Sequence, residues 1–155
     1  MLPKNLQRLE ELREECKSMV TKRALASGGV SAIPTPGVDV AADVVILLEL
    51  IPAINNKFGL SKDQIGHYDE ATKQVIFQIL KRAGLAMIGA EVTKTLITQA
   101  LKKVAGRAVT KQVLKFVPVI GWATNAAIGF AAMKYVGNSH VDDCFDVCRQ
   151  IIEAA

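Results

Sequence analysis

Apolar positions recur every three or four residues through the start of the chain. Leu2, Leu6, Leu9, Leu12, Cys16, Met19 and Val20 share one face of a helix predicted over residues 3–26. Glu10, Glu11, Glu14 and Glu15, with Arg8, Arg13 and Lys17, cover the other side, which reads as a solvated face. Gly28 and Gly29 fall where this helix should end or pass very close to a neighbour. Residues 38–58 are apolar nearly all round, the pattern of a central buried helix, and Pro52 inside it is expected to kink or interrupt it. Phe58-Gly59-Leu60 reads as a helix end with Gly59 left-handed, and Ser61 with Gln64 as a capping box for a short turn. Asp69 is placed to cap a helix reaching about Arg82.

The next predicted stretch, a helix or helix pair over residues 85–116, alternates two faces. Ile97, Leu101, Val104 and Ala108 hold one, while Lys103, Arg107, Lys111 and Lys115 recur every four residues on another. Residues 116–133 then carry no charge at all. Their length is at the lower edge of a membrane span, but Pro118, Gly121, Thr124, Asn125 and Gly129 interrupt them, so a buried core helix is expected. Gly137-Asn138 is read as its end. Ser139 with Asp142 would cap a final helix whose buried stripe is Val141, Phe145, Cys148 and Ile152.

Two corners organise these helices. Ala32-Ile-Pro-Thr-Pro-Gly-Val-Asp-Val-Ala-Ala-Asp43 places Pro34 and Pro36 where an extended segment must stop one helix, and Gly37 where the next begins. A near-copy, Val117-Pro-Val-Ile-Gly-Trp-Ala-Thr-Asn-Ala126, repeats the device at Pro118 and Gly121. The expectation is a single all-α domain over residues 1–155, a compact multi-helix bundle of about six helices with two Pro/Gly hinges. Its centre would be the helix after Gly37 packed on the helix after Gly121.

Composition changes this picture little. Half of the 155 residues are apolar but only 5% are aromatic, which suits close-packed helices better than a sandwich. Three cysteines without a disulfide-type spacing fit a reducing compartment, and the polar, charged opening does not read as a signal peptide. Charge distribution is more informative than the net +4. Residues 92–115 hold six Lys or Arg and no acid, so the rest of the chain is net −2. Lys102, Lys103, Arg107, Lys111 and Lys115 would suit an anionic membrane surface or a protein partner, unless they pair with Asp142, Asp143 and Asp146. No aromatic residue interleaves the stripe to stack on bases, so nucleic acid is not expected.

Reactive constellations are sparse. Asp39 and Asp43 stand one turn apart, but nothing nearby would split their pKa values, and they read as structural acids. His140, Cys144 and Cys148 step by four along one helix. Eight residues of helix rise about 12 Å, so all three cannot bind one tetrahedral ion, and small buried cysteines are the reading. Gly84-Leu-Ala-Met-Ile-Gly89 has the glycine spacing of a phosphate-binding loop. Ala90-Glu91 stands where Lys-Ser/Thr should follow, and an acid there would repel phosphate. No catalytic, metal or cofactor-binding residue is assigned.

Taken in order, several pieces resemble the C-terminal helical region of the immunity-related (interferon-inducible) GTPases. They are Leu2-Pro3 opening a charged helix, the Ala32–Asp43 corner, Lys57-Phe-Gly-Leu60, Phe116-Val-Pro-Val-Ile-Gly121, and a last acidic helix holding Asp142 to Cys148. The family's GTPase motifs, a glycine-rich loop ending in Lys-Ser and a Thr/Asn-Lys-x-Asp, have no counterpart here. The resemblance implies a helical domain without nucleotide chemistry of its own. It also implies a place in defence against intracellular pathogens, where such domains relay nucleotide state, contact partners and help bind membranes. A GTPase domain in cis or a protein in trans is the expected partner, and the expected location is cytoplasmic or peripheral on intracellular membranes. A set of bacterial membrane-associated helical domains uses similar Pro-x-Pro-Gly corners, and a membrane-inserting effector is the alternative.

Overall fold

Helices account for all the regular structure in the described part of the computed structural model, which covers residues 1–30, 38–105 and 125–154, with side chains described for 1–26, 43–104 and 130–154. The protein is all-α. The hinge residues Pro34, Pro36, Gly37, Pro118 and Gly121 lie outside the described residues.

Helix α1 spans Leu6–Val30, passing through Gly28 and Gly29. It starts a turn later than residue 3 because Asn5 caps it: the Arg8 amide donates to Asn5 Oδ1 at 2.8 Å. Leu9, Leu12, Cys16, Val20 and Ala24 form its buried stripe. Leu6, expected on that face, is 50% exposed in the first turn, while Leu2 and Met19 are only partly buried. The outer face is laced by Arg8 to Glu11 and Glu15 at 3.0 and 3.1 Å.

Helix α2, Val38–Phe58, continues through Pro52 without interruption. Leu47, Leu50, Ile51, Ile54 and Phe58 are all buried, each a contribution of about 2 kcal/mol by transfer arithmetic. Its end is the Schellman pattern expected: Leu60 N–H donates to Asn55 O at 2.8 Å and Gly59 N–H to Asn56 O at 3.2 Å, with Gly59 at φ +76°. Gly59 is needed twice over, since a Cβ there would lie 2.5 Å from the Met1 carbonyl carbon. The Met1–Leu2 backbone thus seals the end of α2.

The short helix α3, Lys62–Gly66, carries the reciprocal Ser61–Gln64 capping box, and α4, Glu70–Ala83, is capped by Asp69, whose Oδ1 accepts from Thr72 N at 2.9 Å. Residues 85–93 are not helical, contrary to the expected start at Leu85. Gly84 closes α4 in the left-handed region, Gly89 also takes φ +68°, and the Gly89 amide bonds back to Leu60 O at 3.1 Å. Thr93 then opens α5, Lys94–Ala105, by accepting from Leu96 N at 3.3 Å.

Helix α6, Asn125–Ala154, corrects another expectation. It does not break at Gly137-Asn138, and Ser139 lies exposed within it rather than capping a new helix. Gly137 serves a crossing instead: a Cβ there would meet Val20 Cγ1 of α1 at 2.7 Å, so only glycine lets the two helices approach this closely. Val141, Cys144, Val147 and Cys148 are buried, and Phe145 and Ile152 pack partly against the core.

Directions follow from the pairs that meet. Glu15 reaches Lys57 and Arg23 reaches Glu49, so α1 and α2 are antiparallel. Arg13 meets Asp142 while Val20 meets Gly137, so α1 and α6 are antiparallel as well. Asn55 meets His140 and Phe58 meets Cys148, which makes α2 and α6 parallel. Helices α1 and α5 each pack on both α2 and α6, and α4 lies against α6. The expected pairing at the centre is therefore present, with α1 sharing the most extensive seam of all with α6.

Candidate functional site

Within the apolar centre, three polar side chains meet. Asn55 of α2 is 2% exposed, His140 of α6 is 1% exposed, and Cys144, one turn further along α6, is fully buried. Asn55 Nδ2 donates to the Met87 carbonyl in the 85–93 loop at 2.7 Å. That carbonyl can only accept, so the amide orientation is settled and Oδ1 faces α6. His140 Nε2 lies 2.8 Å from this oxygen and must carry its proton; the Cys144 thiol donates to the same oxygen at 3.5 Å. The trio joins α2, α6 and the loop through one side-chain amide.

Its chemistry is that of a structural knot. Burial holds the His140 imidazole down at about 4, so it is neutral at pH 7. Burial raises the Cys144 thiol well above 9, with Cys148, Asp143 and Cys16 adding to the effect. A Cys–His–Asn set suggests a nucleophile triad, but here Nε2 is the nitrogen nearest both partners. Already protonated and bonded to Asn55, it cannot take a proton from Cys144 at 3.6 Å. Cys148 turns away and donates to Phe58 O, one of the carbonyls left open at the end of α2, at 3.5 Å; burial pushes its thiol up to about 12. Cys16 is raised to about 11, again by burial first. Thiols this far from ionising are poor nucleophiles. Among the described residues, no group of three or more His, Cys, Asp or Glu side chains is arranged to hold a metal ion.

The step-of-four row was visible in the sequence, but Asn55 was not singled out. A signal existed: Leu47, Ile51 and Asn55 step by four along the buried face of α2, and a polar residue in such a stripe needs a partner. Asp43, also in α2, is 6% exposed; the side chain of Asp39 lies outside the described residues.

Lys102 and Lys103 are exposed on α5, as is Lys94, and among the described residues none of them makes an ion pair. Arg107, Lys111 and Lys115 lie outside the described residues. Two of the three acids that could neutralise the stripe pair with other residues, Asp142 with Arg13 and Lys17, both at 2.9 Å, and Asp146 with Arg149 at 3.0 Å. The apolar face of α5, Ile97, Leu101 and Val104, is buried against the bundle. One described stretch, Asp43–Gly66, contains an 18-residue window with a mean hydropathy of 1.4, long and apolar enough to cross a membrane by length and composition; half of that window is buried within the protein.

Over 80 residues the chain is similar to Interferon-inducible GTPase 5 of Bos taurus, at 31% identity. The matched region is 52% of this chain but 16% of that protein's length, so the chain spans about a sixth of the relative it matches. No family model matches the chain, and no solved structure matches it.

Proposed function

We propose that this chain is the helical domain of an immunity-related, dynamin-like GTPase, without enzymatic activity of its own. Its work would be membrane association, assembly or partner contact. The match to Interferon-inducible GTPase 5, in a chain that is all-α, carries the reading. The succession in the sequence of the two Pro/Gly corners and the acidic run from Asp142 to Asp146 supports it. The basic face beginning at Lys94, Lys102 and Lys103 and continuing in sequence to Arg107, Lys111 and Lys115 is the surface offered to anionic lipid, from a cytoplasmic or peripheral position. Each basic residue near an anionic leaflet contributes about 1 kcal/mol, so several together give salt-sensitive binding. The GTPase partner, in cis or in trans, supplies the nucleotide chemistry.

Co-sedimentation with phosphatidylserine-rich and neutral vesicles at low and high salt tests the membrane role. Binding is expected only to the anionic vesicles and weakens with salt. If reversing the charge of Lys102, Lys103, Arg107 and Lys111 together leaves sedimentation unchanged, the basic face is a solvated surface and nothing more. The apolar stretch Asp43–Gly66 favours a second reading, a membrane-inserting effector whose central helix leaves the bundle, and leakage of dye from the vesicles would select it.

A further inference from the structure

The membrane reading raises a question that the arrangement of α5 answers. Its apolar side chains, Ile97, Leu101 and Val104, are buried on α2 and α6, while Lys94, Lys102 and Lys103 face out. A helix with this division can lie in a bilayer interface only if the buried side is released. We propose that Asn55 is a latch that keeps α5 closed on the bundle, and that the open form of α5 is what an anionic membrane takes up. The second half rests on the membrane function proposed above; the first half does not.

Three observations carry the latch. Two hydrogen bonds tie the middle of the loop that leads into α5 to α2 and the residues after it, Met87 O by Asn55 and Gly89 N–H by Leu60 O, while Ile88 between them is buried in the core. Of these, the Asn55 bond comes from a side chain that is held on its other side as well. Its carbonyl oxygen is committed to His140 and Cys144 of α6, so its amide nitrogen is aimed at the loop only while α2 and α6 are in register. Lastly, the surroundings are apolar: Leu47, Ile51, Ile54 and Val141 are buried on the same two helices. In such surroundings an amide without its acceptor is costly, so loop and α5 close together rather than separately. A membrane that binds only the open form draws the equilibrium toward it by its own affinity for that form.

Hydrogen exchange of the 155-residue chain at pH 7 tests the latch. Asn55→Leu removes the tether while keeping the branched shape of the side chain, and Leu12→Ala serves as a control that weakens the α1 side of the core. Asn55→Leu is expected to speed exchange of amides in residues 85–104 about tenfold or more relative to those of residues 9–24; losing the bonds to His140 and Cys144 as well lowers global stability, which accelerates both segments alike and leaves that ratio to report the tether. Leu12→Ala should not produce that selectivity. Equal acceleration throughout the chain overturns the latch. Should Asn55→Leu fail to fold, the unaltered chain still decides: with increasing denaturant, α5 amides should exchange through an opening smaller than global unfolding, whereas α6 amides follow the global one. A single isotherm shared by both helices overturns the latch. In vesicle sedimentation, Asn55→Leu should bind phosphatidylserine about tenfold more tightly than the parent. Selective opening with no vesicle binding by either chain supports the latch and removes the membrane from it.

Discussion

Two faces of the same helix hold this bundle together by different means. Toward α2, α6 presents His140 and Cys144 to Asn55, all neutral and nearly inaccessible to water. Toward α1 it presents Gly137 to Val20, then Asp142 to Arg13 and Lys17, and Phe145 beneath the Arg13 guanidinium at 4.7 Å. The first face uses few polar groups, each with a large penalty for being left unmatched. The second uses several charges in contact with solvent, each replaceable by water at little cost. Sequence tolerance should therefore be narrow on the α2 side and broad on the α1 side, except at the glycine.

The widest separation is expected as pH falls. Burial holds His140 near 4 in the folded chain, against 6.5 for a free imidazole. The unfolded chain then takes up the proton first, so stability present above pH 6.5 is lost as pH falls toward 4, by about 3 kcal/mol. Asp143, three residues along the same helix, runs the other way. Burial, with Asp146 and Asp142 beside it, raises its carboxyl from 3.8 to about 6. Its contribution is fully present below pH 3.8 and is lost as pH rises through 6, by about 2 kcal/mol after allowance for partial exposure. In the parent the two oppose each other, and urea midpoints should vary little between pH 6.5 and 4.5. Asp143→Asn should lose stability steadily across that window; His140→Gln, which keeps a donor toward Asn55, should gain it. Parallel slopes in the two variants would sink this account.

What could be read from the pattern of residues was local. The cap at Asp69, the Ser61–Gln64 box and the Gly59 terminus depend on neighbours within six positions, and each formed as its residues require. The buried stripes of α1 and α5 likewise follow from spacing alone. Gly137 is different, because a glycine inside a helical pattern marks either a stop or a close crossing, and the partner that decides is 117 residues away at Val20. Asn55 is hidden for the same reason: its partners, Met87, His140 and Cys144, come from three later places in the chain. The loop at 85–93 went unread because its residues are as apolar as those of a helix, and only the positive φ of Gly84 and Gly89 turns it aside.

A smaller effect sharpens the contrast at the crossing. Gly137→Ala places a methyl 2.7 Å from a methyl of the fully buried, β-branched Val20, so α1 and α6 must separate or Val20 must leave its rotamer. The expected cost is about 2 kcal/mol. Adding Val20→Ala should recover part of it, since the space then exists for the new methyl. Without recovery in the double variant, the glycine matters for backbone reasons rather than for the approach of the helices.

The smallest effect is expected where the bonds look most numerous. Asp142 accepts from Arg13 Nε and Lys17 Nζ, both at 2.9 Å, yet its side chain is 42% exposed. In Asp142→Asn the Arg13 guanidinium keeps Glu10 at 3.3 Å and its place over Phe145, and Lys17 regains water. Loss of the pair should cost under about 1 kcal/mol and less in high salt. The same substitution also removes one of the two carboxylates that hold Asp143 up near 6. Relieving that repulsion lets Asp143 ionise more readily in the folded chain, which offsets part of the loss at neutral pH. Thermal melts of parent and variant at pH 7 should nearly coincide. Carbon-detected titration of Asp143 should nonetheless show its pKa lowered in the variant, which separates a seam of compensating charges from one that does nothing. A melt lowered by several kcal/mol would mean that the α1 face is as exacting as the α2 face, and the contrast between them would fail.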